Sequence, residues 1–376
     1  MDIKLSKEII QVINIIKNNG YEAYVVGGYV RDSLLNIDNY DVYITTSATP
    51  QKLKQLLKDY NIDDKYIDLG SVKFNLDKYH FEITTFRKEY NYVNHRRPNK
   101  VEFTTSLKDD LNRRDFAINA LCSDGEQLID LFNGIDDLNS KVIRTIGDAF
   151  VRLKEDSLRI LRAIRFASKL GFEIDDNLEK AINDNCEYLS VIPFQTKYRE
   201  LRGFLEGEYY IKVLKAYKEV FKKCFCLNDL KIDLFKKNMK YDEKEALFFY
   251  FSNVNVNNKY LINKEIEFNN DKIDLKKKLN LYGKDNVYNV LYFKSHFLGV
   301  NKEEFEMLKK IINNNECYNL KMLDIKGNDL IEFNIKNDKI GKHLEILLNA
   351  VINNECVNSK SELLKYLKNN IIECEE

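Results

Sequence analysis

The 376-residue sequence predicts an α+β chain of several domains, a small N-terminal α/β domain with a mixed sheet followed by an all-helical remainder. Three observations lead there. Short apolar strand-like runs alternate with helical spacing only before residue 87. From about residue 147 apolar residues recur at three- and four-residue intervals, and no further strand pattern stands out. A glycine pair, Gly27-Gly28, ends the first apolar run and opens a helix, the arrangement that leaves backbone N–H groups free for an anion.

In chain order, residues 5–19 place Ile9, Ile10, Ile13 and Ile16 at helical spacing. Residues 22–26 form a buried strand running into the glycine pair, and 29–36 a short helix. A second strand covers 40–45, and Ala48-Thr49-Pro50 opens a helix over 50–59. Strands follow at 70–76 and 80–86. Residues 87–103 are polar and aromatic and read as a long loop of the kind that often carries function. A helix is expected over 109–121, opening on a double arginine, then a strand end, an Asn133-Gly134 turn and a short helix over 128–138. Residues 148–168 read as one long helix, with further helices at 177–189, 196–206, 209–222, 242–252 and 302–314. Breaks fall near Gly171, Pro193, Gly207 and Gly283, and the Asn-rich stretches 252–258, 268–271 and 312–315 read as loops.

Composition excludes several classes. No run of 18 apolar residues occurs, so no membrane span is expected. The N-terminus is amphipathic with acids mixed in and reads as a helix, not a signal peptide. Seven scattered cysteines without a CxxC pair imply reduced thiols, no zinc site and a cytoplasmic protein. Net charge is zero, yet residues 209–300 hold 18 Lys against 11 Asp and Glu, a local basic excess suited to a polyanion. All 13 arginines lie at or before Arg202, which points to positions where the planar fork matters.

Three constellations carry chemistry. In Gly27–Pro50 a phosphate cradle, Arg31 and a strand bearing Asp41 suggest metal-assisted phosphoryl or nucleotidyl transfer. Paired metals need two carboxylates on one side of a strand, at i and i+2. The residue two beyond Asp41 is Tyr43, which is neutral near pH 7 and cannot replace a carboxylate. Second, Asp156, Arg159, Arg162 and Arg165 recur every three residues opposite Leu158, Leu161 and Ile164. That stripe is either a salt-bridged face or a base reader. Cytosine and adenine both offer an amino donor beside a ring acceptor, which one carboxylate and one guanidinium can read. Third, Arg113-Arg114-Asp115 can neutralise a triphosphate or fix a helix junction.

Together these residues resemble the class II CCA-adding enzymes and bacterial poly(A) polymerases of the polymerase-beta-like nucleotidyltransferase superfamily. Seven ordered blocks within residues 24–172 carry the resemblance. They are Gly27–Leu35, Asp41–Pro50, Glu82–Arg87 with Arg96-Arg97-Pro98, Arg113–Ala120, Asp130–Gly134, Arg144–Asp148 and Glu155–Phe166. The resemblance implies a nucleotidyltransferase head over 1–146, a helical neck over 147–206 that recognises the base, a body over 207–300 and a tRNA-binding tail over 301–376.

It also implies roles. Gly28 and Arg31 would contact nucleotide phosphates. Asp41 and the residue at position 43 would hold Mg²⁺. Arg114, Asp115, Asp156, Arg159, Arg162 and Arg165 would bind CTP or ATP, with Asp156 and Arg159 templating the base. Body and tail would hold tRNA through its phosphates. The full-length loop after Arg87 favours complete CCA addition or A-addition over CC-addition. A poly(A) polymerase and a non-catalytic tRNA- or nucleotide-binding homologue stay open as alternatives.

Departures from the family pattern are Asn36 for a usual Gly, Leu131 and Asn133 in the Asp130 turn, a poor match after residue 190, and Tyr43. Tyr43 is the severe one. It implies impaired transfer, with Glu82 on a neighbouring strand as a candidate substitute ligand.

Overall fold

A computed structural model describes residues 3–333 and 335–370. It divides into two compact units, residues 1–232 and 233–376. This is a coarser division than the head, neck, body and tail expected from the sequence.

The first unit opens with α1 (Lys7–Lys17), whose Ser6 side chain accepts from the Ile9 N–H and whose Ile9, Val12, Ile13 and Ile16 are buried. Strand β1 (Ala23–Val26), helix α2 (Gly28–Leu34), strand β2 (Asp41–Thr46) and helix α3 (Pro50–Leu56) follow, each within one to three residues of expectation. Gly27 between β1 and α2 has φ 80°, a left-handed conformation that glycine adopts without a Cβ penalty. Asn36 after α2 has φ 55°, and Asn is the side chain that best tolerates that region. Strands β3 (Ser71–Leu76) and β4 (Tyr79–Thr85) come next.

Two-residue strands β7 (Cys122–Ser123) and β8 (Leu128–Ile129) complete a six-stranded sheet. Its order is β3-β4-β2-β1-β7-β8. Only β2 and β4 pair in parallel, so the sheet is mixed as expected. In β2 the side chains alternate. Val42 and Ile44 are buried, while Asp41 and Tyr43 are exposed.

The stretch 87–103 is not a structureless loop. It is a β-hairpin, β5 (Arg87–Val93) paired with β6 (Arg97–Phe103). Its strands carry charged and aromatic side chains without a buried face, which erases the alternation that marks a strand in sequence. The helix expected over 109–121 is also broken. Helix α4 (Leu107–Asn112) stops before the double arginine, which leads into a single 3₁₀ turn at Ala117–Asn119.

Helix α5 (Gly134–Ser140) starts one turn after Asp130, whose carboxylate accepts from the N–H groups of Phe132, Gly134 and Ile135 at 2.9–3.1 Å. A Cβ on Gly134 would lie 2.5 Å from the Ala117 carbonyl oxygen. This turn therefore presses on the 3₁₀ turn and holds it in place.

The helix expected over 148–168 is two helices, α6 (Ala149–Glu155) and α7 (Leu158–Leu170). Asp156 lies in the break with φ −133° and ψ 96°. One further strand lies past residue 147. Strand β9 (Val142–Ile143) pairs in parallel with β10 (Glu173–Ile174), too short a run to show periodicity. The unit ends with α8 (Asp176–Asn185), α9 (Phe194–Leu205), α10 (Tyr210–Ala216) and α11 (Lys218–Phe225).

The second unit is helical among the described residues: α12 (Tyr241–Phe249), α13 (Lys272–Tyr282), α14 (Lys284–Phe297), α15 (Lys302–Asn313), α16 (Gly327–Glu332), α17 (Ile340–Ile352) and α18 (Lys360–Asn370). Of these, only α12 and α15 were expected individually. In α13, α14 and α18 lysine and asparagine interleave with the apolar residues, which blurs the 3.6-residue period. Buried Leu275, Leu279, Val287, Leu291, Phe305 and Leu308 form one core here, and Leu330, Leu347, Leu348, Leu363 and Leu367 belong to another. No helix among the described residues is long and apolar enough to cross a membrane.

Candidate active site

The open face of the sheet presents Asp41 and Tyr43 from β2. Register places Tyr43 beside Glu82 and Glu82 beside Lys73. The Glu82 carboxylate is already engaged, 2.8 Å from Lys73 Nζ and 3.0 Å from the Ser71 hydroxyl that donates to it. Tyr43 is 44% exposed. Partial burial pushes its phenol above the usual tyrosine range, and the Glu82 and Asp41 carboxylates push it further. Position 43 is therefore a neutral oxygen.

No group of three or more His, Cys, Asp or Glu side chains suited to a metal gathers among the described residues. This donor set does not fit a two-metal site. A single divalent ion, which needs one or two carboxylates plus phosphate oxygens and water, is compatible with Asp41.

Beside this face lies an arginine–carboxylate lattice. Asp110 is fully buried. It accepts from Thr45 Oγ1 at 2.8 Å, Arg113 Nη2 at 2.8 Å and Arg114 Nη2 at 3.3 Å. Burial pushes its carboxyl up, but the two guanidiniums prevail and hold it below the usual range. Arg114 Nη1 lies 3.6 Å from where a Cβ on Gly27 would sit, so its guanidinium adjoins the glycine turn. Arg114 Nε is buried without a hydrogen-bond partner, and burial pulls this guanidinium down. A buried cation with an unused donor beside a glycine turn suits an arriving phosphate.

Arg31 is itself nearly buried. Its Nε donates to Asp32 Oδ1 at 2.8 Å and its Nη1 to Asn119 Oδ1 at 2.6 Å. Its guanidinium carbon lies 4.9 Å from the centre of the Phe166 ring. Arg162 and Arg165 crowd the same ring at 5.7 and 4.4 Å. Arg162 donates from Nε and Nη2 to Asp115 Oδ2, both at 2.6 Å. Asp115 Oδ1 accepts from the Phe116 N–H and Asn119 Nδ2. Burial raises the Asp115 carboxyl, but Arg162 and Asn119 outweigh it and hold it at about 2. Arg165 pairs with Glu200 at 2.6 Å.

The α6–α7 break turns Asp156 out of the helical stripe that spacing assigned to it. Its Oδ1 accepts from the Leu158 N–H at 3.1 Å and its Oδ2 from Arg96 at 3.0 Å. Burial pushes the Asp156 carboxyl up, with Arg96 and Arg159 opposing. Arg159 is 4% exposed and donates to the carbonyl oxygens of Arg152 and Arg113 at 2.9 and 3.1 Å. Arg96 sits at the end of the β5–β6 hairpin, which docks on this break. The Ser157 N–H donates to the His95 carbonyl at 2.9 Å, and the His95 ring stacks on Tyr188 at 3.9 Å.

Sequence reasoning therefore placed Asp41 and Tyr43 on one face, and it named the arginines that converge on Phe166. It named Asp115, which holds Arg162, but gave no role to Asp32 or Glu200, which hold Arg31 and Arg165. It also gave no role to Asp110, which holds Arg113 and Arg114, or to Glu89, which accepts from Arg87 at 2.7 Å and Arg113 at 3.2 Å. The confinement of all 13 arginines to positions at or before Arg202 was the one available signal.

Residues 23–144 match the Poly A polymerase head domain family. A CCA-adding enzyme of Enterococcus faecalis is 48% identical over 177 residues, 47% of this chain and 43% of that protein. The matching stretch spans about half the length of the first such relatives. A CCA-adding enzyme of Lactococcus lactis subsp. lactis is 34% identical over 402 aligned positions, covering 97% of this chain and 98% of its own.

This chain belongs to the CCA-adding enzyme family. The structure of the Bacillus stearothermophilus CCA-adding enzyme in complex with CTP is similar over 98% of both chains, with a TM-score of 0.69 at 25% identity. The CCA-adding fold thus extends beyond residue 172, where the sequence blocks end. Nucleotidyltransferases of this kind use divalent metal ions.

Proposed function

We propose that this chain is a tRNA nucleotidyltransferase that binds CTP and ATP, adds CCA to tRNA 3′ ends with release of pyrophosphate, and is slowed at the transfer step by Tyr43. The observation that carries the reading is that Arg114 adjoins the glycine turn while Asp115 holds Arg162, in a chain whose family adds CCA. In this reading Arg114 meets the triphosphate with its unused Nε, beside Gly28. Arg31, tied to Asp32 and Asn119, steadies the turn. Asp115 orients Arg162, and Glu200 orients Arg165. Asp156 and Arg159 read the amino group and ring nitrogen that C and A share. That role requires Arg96 to yield Asp156 to the base. The four-part division into head, neck, body and tail and a cytoplasmic location go with this function. Mg²⁺ on Asp41 supplies charge neutralisation at the phosphates when bound.

A non-catalytic tRNA- or nucleotide-binding role is the second reading, favoured by the phenol at position 43 and the Lys73–Glu82 pair beside it. Incubating the chain and its Tyr43→Asp variant with a tRNA lacking CCA and labelled CTP, ATP or GTP separates the two. The transferase reading expects slow C and A incorporation that Tyr43→Asp accelerates. Equal GTP incorporation sinks the base-reading assignment. No incorporation by either chain leaves the binding role.

A further inference from the structure

Helix α14 carries aromatic rings at four-residue spacing, of which the middle one, Tyr292, packs against the core while the two end rings are exposed. Val287, Val290, Leu291 and Phe293 form its buried face. Tyr288, Tyr292 and His296 form a second stripe beside it. The Tyr288 and Tyr292 rings are 7° from parallel at 6.4 Å, and Tyr292 and His296 are 4.3 Å apart at 30°. Phe305 of α15, 4% exposed, meets all three rings edge-on at 5.4–6.1 Å and 62–84°. It braces the row from the core side. His296 Nδ1 is anchored 3.0 Å from the Tyr292 carbonyl oxygen, and the Tyr292 hydroxyl donates to Glu243 at 3.4 Å. The two end rings, Tyr288 (38%) and His296, are nevertheless exposed.

A row of held rings with open ends offers flat faces on which a planar partner can stack. Cations flank it. Lys284 is exposed one turn before Tyr288, next to exposed Asp285, and Lys309 Nζ, paired with Glu306, lies 4.9 Å from the Phe305 ring centre. Between residues 233 and 300 this unit holds 12 lysines against nine acids. Such a surface complements a polyanion that also has flat faces.

We infer that the α14 shelf stacks unpaired bases of RNA on its open ends, one on Tyr288 and one on His296. The inference rests on the reading of this chain as a tRNA enzyme and adds a base-stacking contact to its phosphate contacts. Stacking accepts any base, so the shelf strengthens binding without selecting sequence.

The chain has no tryptophan, so Tyr288→Trp introduces a single indole at the shelf. Its fluorescence is followed on adding a tRNA lacking CCA, a single-stranded oligoadenylate or a blunt RNA duplex. Quenching is expected with the first two and not with the duplex. The paired Tyr288→Ala and His296→Ala variant is expected to bind the tRNA about tenfold more weakly, with CTP binding and the salt slope unchanged. Tyr288→Phe is expected to retain full affinity. Unquenched indole in a chain that still binds CTP overturns the shelf. So does unchanged tRNA affinity in the double variant, or an indole shift that follows protein concentration without RNA. Nucleotide transfer is assayed in parallel. Transfer without quenching removes the shelf alone, and quenching without transfer removes the enzyme reading alone.

Discussion

A phenol at position 43 offers one neutral oxygen where paired-metal transfer needs a second charged one. Glu82 cannot simply step in, because Lys73 and Ser71 already occupy its oxygens. Tyr43→Asp is expected to raise the rate of C and A addition on the order of 10³-fold, about 4 kcal/mol, in single-turnover assays with Mg²⁺. Asp115 makes a different kind of prediction. Its carboxyl sits at about 2 in the fold, below the unfolded value. A depressed carboxylate stabilises above its unfolded pKa of about 3.9 and loses that contribution as pH falls toward the folded value. Asp115→Asn is therefore expected to cost roughly 2 kcal/mol near neutral pH. In urea titrations that difference should shrink from about pH 5 downward.

Among elements, the β5–β6 hairpin has the most direct link to nucleotide choice, because its tip holds Asp156 through Arg96. A carboxylate that accepts from a base amino group must be ionised. Burial already raises the Asp156 carboxyl, and Arg96 counters that rise. Arg96→Ala should raise it further, so CTP affinity in the variant should fall off at a higher pH than in the parent chain. Equilibrium binding across pH checks this, and an unshifted acid limb disconnects Arg96 from the reader.

The hairpin also shows where element-level reading stops. Arg87 to Phe103 has no buried face, and its strands are identified only by pairing with each other. The break at Asp156 was invisible for the opposite reason. Leu153 before it and Leu158, Leu161 and Ile164 after it keep apolar residues recurring through the stretch, while the interruption comes with tertiary contacts to His95 and Arg96.

For the whole molecule, two units with separate cores imply separable tasks. Every residue proposed for nucleotide contact lies in residues 1–232. A fragment ending at Ile232 is expected to bind CTP and ATP nearly as well as the full chain. It should lose most tRNA affinity and show a shallower dependence of binding on salt, because fewer phosphate contacts remain. Calorimetry with nucleotide and filter binding with tRNA measure the two effects.

The sequence by itself determined the mixed sheet, the glycine turn, the shared face of Asp41 and Tyr43, and the family. These depend on local spacing, strand alternation and ordered motifs, which a single chain displays directly. Only the tertiary structure decided which carboxylate holds which arginine, that residues 87–103 pair as a hairpin, and that Asp156 leaves its helix. Those outcomes depend on contacts such as Arg96 with Asp156 and Asp115 with Arg162, whose partners lie 60 and 47 residues apart. No local period records a contact at that separation.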